Sequence, residues 1–193
     1  MRFVQAANYT PVTQRDINII GIHDAEAPEK GTTAEAIAQF FHNQPKSPVT
    51  GTSAHYSVDN NTIVQSVRDH DVAWAAPGAN HDGLHIEHAG YARQNKHEWA
   101  DAFSTAMLQR SAELVARKCK RYHIPMMFLT AEMVKAGHSG ITGHLQITES
   151  GIGGTTEGHS DPGTNFPWGR YMRYVHAYAA GHIPADFIHG ETQ

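Results

Sequence analysis

The sequence predicts a single α/β domain. Short apolar, β-branched runs alternate along the chain with longer segments whose apolar residues recur at helical spacing. The 193 residues, 40% of them hydrophobic, suffice for one domain with a real core. No internal repeat, low-complexity linker or charge block divides them.

Taken in order, Asp16 to His23 is a β-rich run, read as a buried central strand with His23 at its C-terminal end. Thr32 or Thr33 can cap a helix running to about His42, with Ala34, Ile37 and Phe41 on one face. Pro45 and Pro48 break the chain. Ser53–Asp59 and Thr62–Val67 read as two strands joined by the Asp59-Asn60-Asn61 turn. Leu84–His88 is another short strand, stopped by Gly90. Trp99–Arg121 is the longest expected helix, with Trp99, Phe103, Ala106, Arg110, Leu114 and Val115 along its stripe. Phe40, Phe41 and Phe103 are expected in the core. Thr130 can cap a short helix that ends at Gly137. Residues 137–163 hold 8 of the 17 glycines and read as one long irregular loop, of the kind that tends to carry function. The last helix starts near Pro167, shows an apolar face of Tyr171, Tyr174, Val175 and Tyr178, and stops at Gly181.

Composition narrows the function. No run approaches 18 apolar residues, so no membrane insertion is expected. The N-terminal stretch has no apolar core of a secretory signal. A single cysteine, Cys119, excludes an internal disulfide and reads as a packed or half-exposed helix residue. A net charge of −4 argues against a general nucleic-acid binder, which wants a basic stripe. Histidine is the outlier, at 15 residues. Its count identifies no site; position and spacing must do that.

Three short phrases stand out: Ile22-His23-Asp24, Gly143-His144 and Gly158-His159-Ser160-Asp161-Pro162-Gly163. Singly, each has an ordinary reading, as a hydrogen-bonded strand-end histidine, a loop histidine and a turn aspartate. Together, two neutral imidazoles and a carboxylate form a ligand set that suits zinc and leaves a fourth position open, as hydrolytic sites do. His138, also preceded by glycine, is the rival second ligand.

These phrases, in this order, resemble the zinc-dependent N-acetylmuramoyl-L-alanine amidases of the type-2 amidase and peptidoglycan-recognition superfamily, and most of all the amidase modules of phage endolysins that act on mycobacterial or related walls. The resemblance covers about residues 18–179. It includes Ser53-Ala54-His55-Tyr56, the loop from Val72-Ala73-Trp74 to Asn80, Leu84-His85-Ile86-Glu87, and Asp161-Pro162-Gly163 followed by Phe166-Pro167-Trp168. It implies a central mixed β-sheet flanked by helices, with 1–193 as one catalytic domain and a core of about 16–181. It implies Zn2+ held by His23, His144 and Asp161, Glu87 as the acid/base, and His159 facing the oxyanion. Trp74, Asn80 and Trp168 become candidate substrate-groove residues. The chain departs from the family at Trp74-Ala75-Ala76-Pro77-Gly78, which lacks a common histidine. It departs again at Ala54, where some relatives carry a tyrosine, and at Ser150–Thr156, which reads as an inserted glycine-rich loop.

The implied partner is peptidoglycan, as a muramyl peptide, and the implied reaction is hydrolysis of the amide between N-acetylmuramic acid and L-alanine. An endolysin of this kind is made in the host cytoplasm and reaches the wall through a lesion opened by another protein. The competing reading is a peptidoglycan-binding module without catalysis; such relatives usually lack a zinc ligand, and all three are present here. No His-Glu-x-x-His helix supports a common zinc peptidase.

Overall fold

Along the chain run β1 (Arg2–Phe3), β2 (Tyr9–Thr10), β3 (Ile19–Asp24), α1 (Thr33–Asn43), β4 (Tyr56–Val58), β5 (Ile63–Gln65), β6 (Val72–Ala73) and β7 (Gly83–His88). A 3-10 turn (Glu98–Ala100), α2 (Ala102–Tyr122), α3 (Ala131–Lys135), β8 (Gly140–Gly143), α4 (His144–Ser150) and α5 (Trp168–Ala179) complete it. The computed structural model describes residues 1–155 and 158–184. Six strands form one mixed sheet in the order β1-β5-β4-β7-β3-β8, and β2 pairs with β6 apart from it. Strands β4, β7, β3 and β8 are mutually parallel, while β5 returns antiparallel to β4.

Alternation along the central strands sorts the two faces. Ile20 and Ile22 of β3 and Leu84 and Ile86 of β7 join a core with Met107, Leu108 and Val115 of α2 and Tyr171 and Val175 of α5. On the opposite face Ile19 meets Ile147 of α4. There Ser57 of β4 also donates a hydrogen bond to the Ala34 carbonyl of α1, at 2.7 Å. The result is a central mixed sheet flanked by helices in a single α/β domain. Among the described residues, no helix is long and apolar enough to cross a membrane.

Several elements differ from expectation. The strand expected from Asp16 is β3 and begins at Ile19, and the strand expected over Ser53–Asp59 contracts to Tyr56–Val58. Trp99 is not in α2, because Asp101 takes an extended backbone and its side chain accepts the Ser104 amide at 2.7 Å, starting the helix afresh. The buried face of α2 runs through Ser104, Met107, Leu108, Ser111, Ala112, Leu114, Val115 and Cys119, so it is rotated from the expected stripe; Phe103, Ala106 and Arg110 lie at its edge. On that face the Ser111 hydroxyl shares a hydrogen bond with the Tyr171 hydroxyl of α5 at 2.7 Å, a polar contact that apolar spacing alone does not reveal. Thr32 occupies the N-cap of α1 without a side-chain bond; Asp59 serves instead, accepting the Ala34 amide at 3.0 Å. Phe40 is 59% exposed, not core.

The segment 137–163 is not one irregular loop. It contains β8 and α4, which ends on Gly151 in the left-handed conformation. Its glycines misled because Gly140 and Gly143 sit inside or beside a strand that is buried throughout. Thr156, the last residue of the expected inserted loop, and residues 185–193 lie outside the described residues.

Candidate metal centre and catalytic cavity

Because β3, β7 and β8 are parallel and in register, their C-terminal ends meet at one edge of the sheet. Ile22 pairs with Gly143 and His23 with Glu87. His144, the next residue after β8, opens α4 beside His23. Asp161 arrives from the loop, where its carbonyl accepts the Leu145 amide at 2.7 Å and ties the loop to the first turn of α4. The turn that follows needs glycine: Gly163 has φ of +92°, and a Cβ there would stand 2.1 Å from the Ala92 carbonyl oxygen.

His23 Nδ1 lies 3.1 Å from His144 Nδ1 and 3.1 Å from Asp161 Oδ2, and His144 Nδ1 lies 3.2 Å from Asp161 Oδ1. Ligands about 2.0–2.1 Å from a common tetrahedral centre stand ~3.3 Å apart. The triangle therefore fits a zinc-sized cation. The ionisation states agree. Burial pulls His23 below the usual imidazole range, against the pull of the adjacent Asp161 carboxylate. Burial would raise Asp161, but its close contacts with His144 and His23 outweigh that and hold the carboxyl below the usual range. Neutral imidazole and ionised carboxylate are the forms that bind metal. His138 is exposed and outside this cluster.

The cluster floors a cavity of about 690 Å³. Glu87 lines it, and its Oε2 is buried without a hydrogen-bond partner. Burial, with the charges of Asp161 and Asp24, pushes Glu87 well above the usual carboxylate range. Asp24, which the sequence reading passed over, also lines the cavity with an unpartnered Oδ2 and is pushed up to about 7, chiefly by burial. Its only sequence signal was adjacency to His23. His159 lies over His144 with ring centroids 3.9 Å apart and planes 17° apart, and its Nδ1 is 3.7 Å from Asp161 Oδ1. Its side chain is 60% exposed. The opposite wall comes from the Glu26–Pro28 loop, Lys30, and Ile37, Phe40 and Phe41 of α1.

The three expected groove residues lie outside the lining of this cavity. Trp74 donates its indole N–H to Thr10 Oγ1 at 2.9 Å. Asn80 Oδ1 accepts the amides of Ala75 and Ala76, at 2.9 and 2.7 Å, and closes the turn they form. Trp168 packs on Phe128, Phe166 and Tyr171. None of the three lines the cavity. Side-chain type does not reveal which face of a loop a tryptophan takes.

The α/β fold is shared with several solved structures. The Staphylococcus aureus hydrolase AmiA superposes with a TM-score of 0.61 at 12% identity, over 92% of this chain and 80% of that one. A mutant endolysin from Bacillus subtilis gives 0.53 at 18% identity, over 91% and 99%. The family described as N-acetylmuramoyl-L-alanine amidase (Amidase 2) matches residues 13–164, and the chain belongs to that family. N-acetylmuramoyl-L-alanine amidase A of Achromobacter lyticus is 28% identical over 177 residues, covering 88% of this chain and 89% of that protein.

Proposed function

We propose that the chain hydrolyses the amide between N-acetylmuramic acid and L-alanine in peptidoglycan, using zinc held by His23, His144 and Asp161. The observation that carries this reading is a ligand triangle and an unpartnered buried carboxylate, Glu87, facing one cavity. When bound, zinc supplies Lewis acidity that makes water a nucleophile at neutral pH and polarises the scissile carbonyl.

The chain's own residues supply the rest. Glu87 accepts on Oε2 the proton that the attacking water loses, then returns it to the departing amine. Its elevated pKa favours that return. His159, stacked on His144 and open to the cavity, donates an N–H to the oxygen of the tetrahedral carbon. The wall of α1 seats the stem peptide. The motifs shared with phage endolysin amidases support wall lysis as the setting, and the chain as one catalytic domain.

The purified protein is expected to bind one zinc per chain. On isolated cell walls it should lower turbidity while new L-alanine amino termini appear, and a chelator should stop both. His144→Ala should lose the zinc and His138→Ala keep it. Zinc-loaded protein that releases no L-alanine termini overturns the enzyme and leaves a peptidoglycan-binding module.

A further inference from the structure

On the sheet face that carries His23 and Glu87, a third titratable side chain is wholly buried and has no part in the chemistry above. This is His85, two residues before Glu87 on β7 and paired in register with Gly21. Its Nε2 lies 3.1 Å from the Ala79 carbonyl, and its Nδ1 lies 3.0 Å from His23 Nε2. A carbonyl can only accept, so the Nε2 of His85 carries the proton. The ring is wholly buried, its side-chain partners are a main-chain carbonyl and a second imidazole, and burial without a counter-charge favours the neutral form. Its Nδ1 is then a lone pair, and His23 must donate Nε2–H to it. That leaves the Nδ1 of His23 as a lone pair, the atom that faces His144 and Asp161.

The surroundings are shaped for this ring. A Cβ on Gly21 would stand 2.5 Å from His85 Nδ1, and one on Gly83 would stand 2.6 Å from His85 Nε2. Two glycines thus vacate the space that the imidazole fills. The Ala79 carbonyl is itself fixed, since the Ala79 amide bonds to the Ala76 carbonyl at 3.0 Å and Asn80 closes the same turn. Ala79 sits in an apolar cluster with Ile19, Ala76 and Ile147.

We propose that His85 is a positioning residue that fixes His23 as its Nε2–H tautomer, so that a buried carbonyl-histidine-histidine relay presents the Nδ1 lone pair to the metal. Metal-binding histidines commonly donate their second N–H to a carboxylate or a carbonyl, and loss of such a partner costs about 10–100-fold in metal affinity. Here a second neutral histidine takes that place and passes the choice of tautomer back to the main chain at Ala79. The proposal rests on the reading of His23 as a zinc ligand.

The test is nitrogen-15 NMR of the histidine rings in the metal-free 193-residue chain, together with zinc affinity measured against a competing chelator. Wild type is expected to show Nε2–H on both His23 and His85. His85→Leu should give His23 mixed tautomers and bind zinc roughly 10–100-fold more weakly. His85→Asn, whose amide oxygen can replace the Nδ1 acceptor, should recover most of that loss; a purely packing role would not distinguish the two variants. A wild-type His23 protonated on Nδ1 overturns the proposal whether or not either variant folds. So does zinc affinity unchanged in a folded His85→Leu. Wild type that binds no zinc would instead sink the reading of the metal centre, and leave the tautomer result to stand or fall separately.

Discussion

At the scale of single residues, Glu87 is held in a state that favours catalysis over stability. Its Oε2 is buried and unpartnered, and the carboxyl is shifted well above its ordinary value. In an unfolded chain it titrates near ~4.3. The protonated form is favoured in the fold, so its contribution is fully present below about pH 4.3 and is lost as pH rises through the higher folded value. Glu87→Gln removes that charge. With zinc chelated, the variant should melt above wild type at pH 8, and the difference should vanish near pH 4 in thermal scans. Its zinc-loaded form should lose about 10²–10⁴ in kcat with zinc still bound. Equal melting temperatures at pH 8 would mean that Glu87 is solvated in the free chain.

At the scale of elements, Asp59 couples two pieces that only the fold brings together. Its Oδ1 accepts the amides of Asn61 and Thr62, at 3.0 and 2.8 Å, and shapes the β4–β5 turn. Its Oδ2 caps α1 through the Ala34 amide. The carboxylate is wholly buried. Asp59→Ala should cost about 2 kcal/mol in urea unfolding, at the upper end of an ordinary capping loss. Since α1 forms a wall of the cavity, KM for wall fragments should rise more than kcat falls. The hairpin was legible from its Asp-Asn-Asn turn. The second role of Asp59 was not, because a cap supplied from 25 residues away leaves no local pattern. The same holds for Asp101, which cut Trp99 out of α2 although the apolar spacing continued through it.

At the scale of the whole molecule, four buried histidines make the fold acid-sensitive. His23, His55, His85 and His88 are at most 1% exposed. Burial lowers all of them, His55 to about 3 and His88 to about 4. Unfolded histidine titrates near ~6.5. The neutral rings therefore contribute fully above about pH 6.5, and that stability is lost as pH falls toward the folded values. Each ring adds a slope of roughly 1.4 kcal/mol per pH unit across the window. The urea midpoint of the chelated protein should accordingly drop steeply between pH 7 and 5. A flat profile there would show that these rings stay hydrated or charged in the fold.

The sequence by itself determined the α/β class, the order of the main strands and helices, and the phrases that carry His23, Glu87, His144 and Asp161. The class and order are legible because periodicity and turn chemistry are local, and the phrases because, taken together, they resemble the motifs of a known family. Tertiary structure decided which of these side chains meet. Parallel register brings three strand ends to one edge, gathers His144 into the triangle and leaves His138 in solvent. It also turned Trp74, Asn80 and Trp168 toward internal contacts, exposed Phe40 at the cavity, and set His85 behind His23. Contacts between residues as distant as Ala79, His85 and His23 depend on strand order and on space vacated by glycines, and neither is written in any local stretch of the chain.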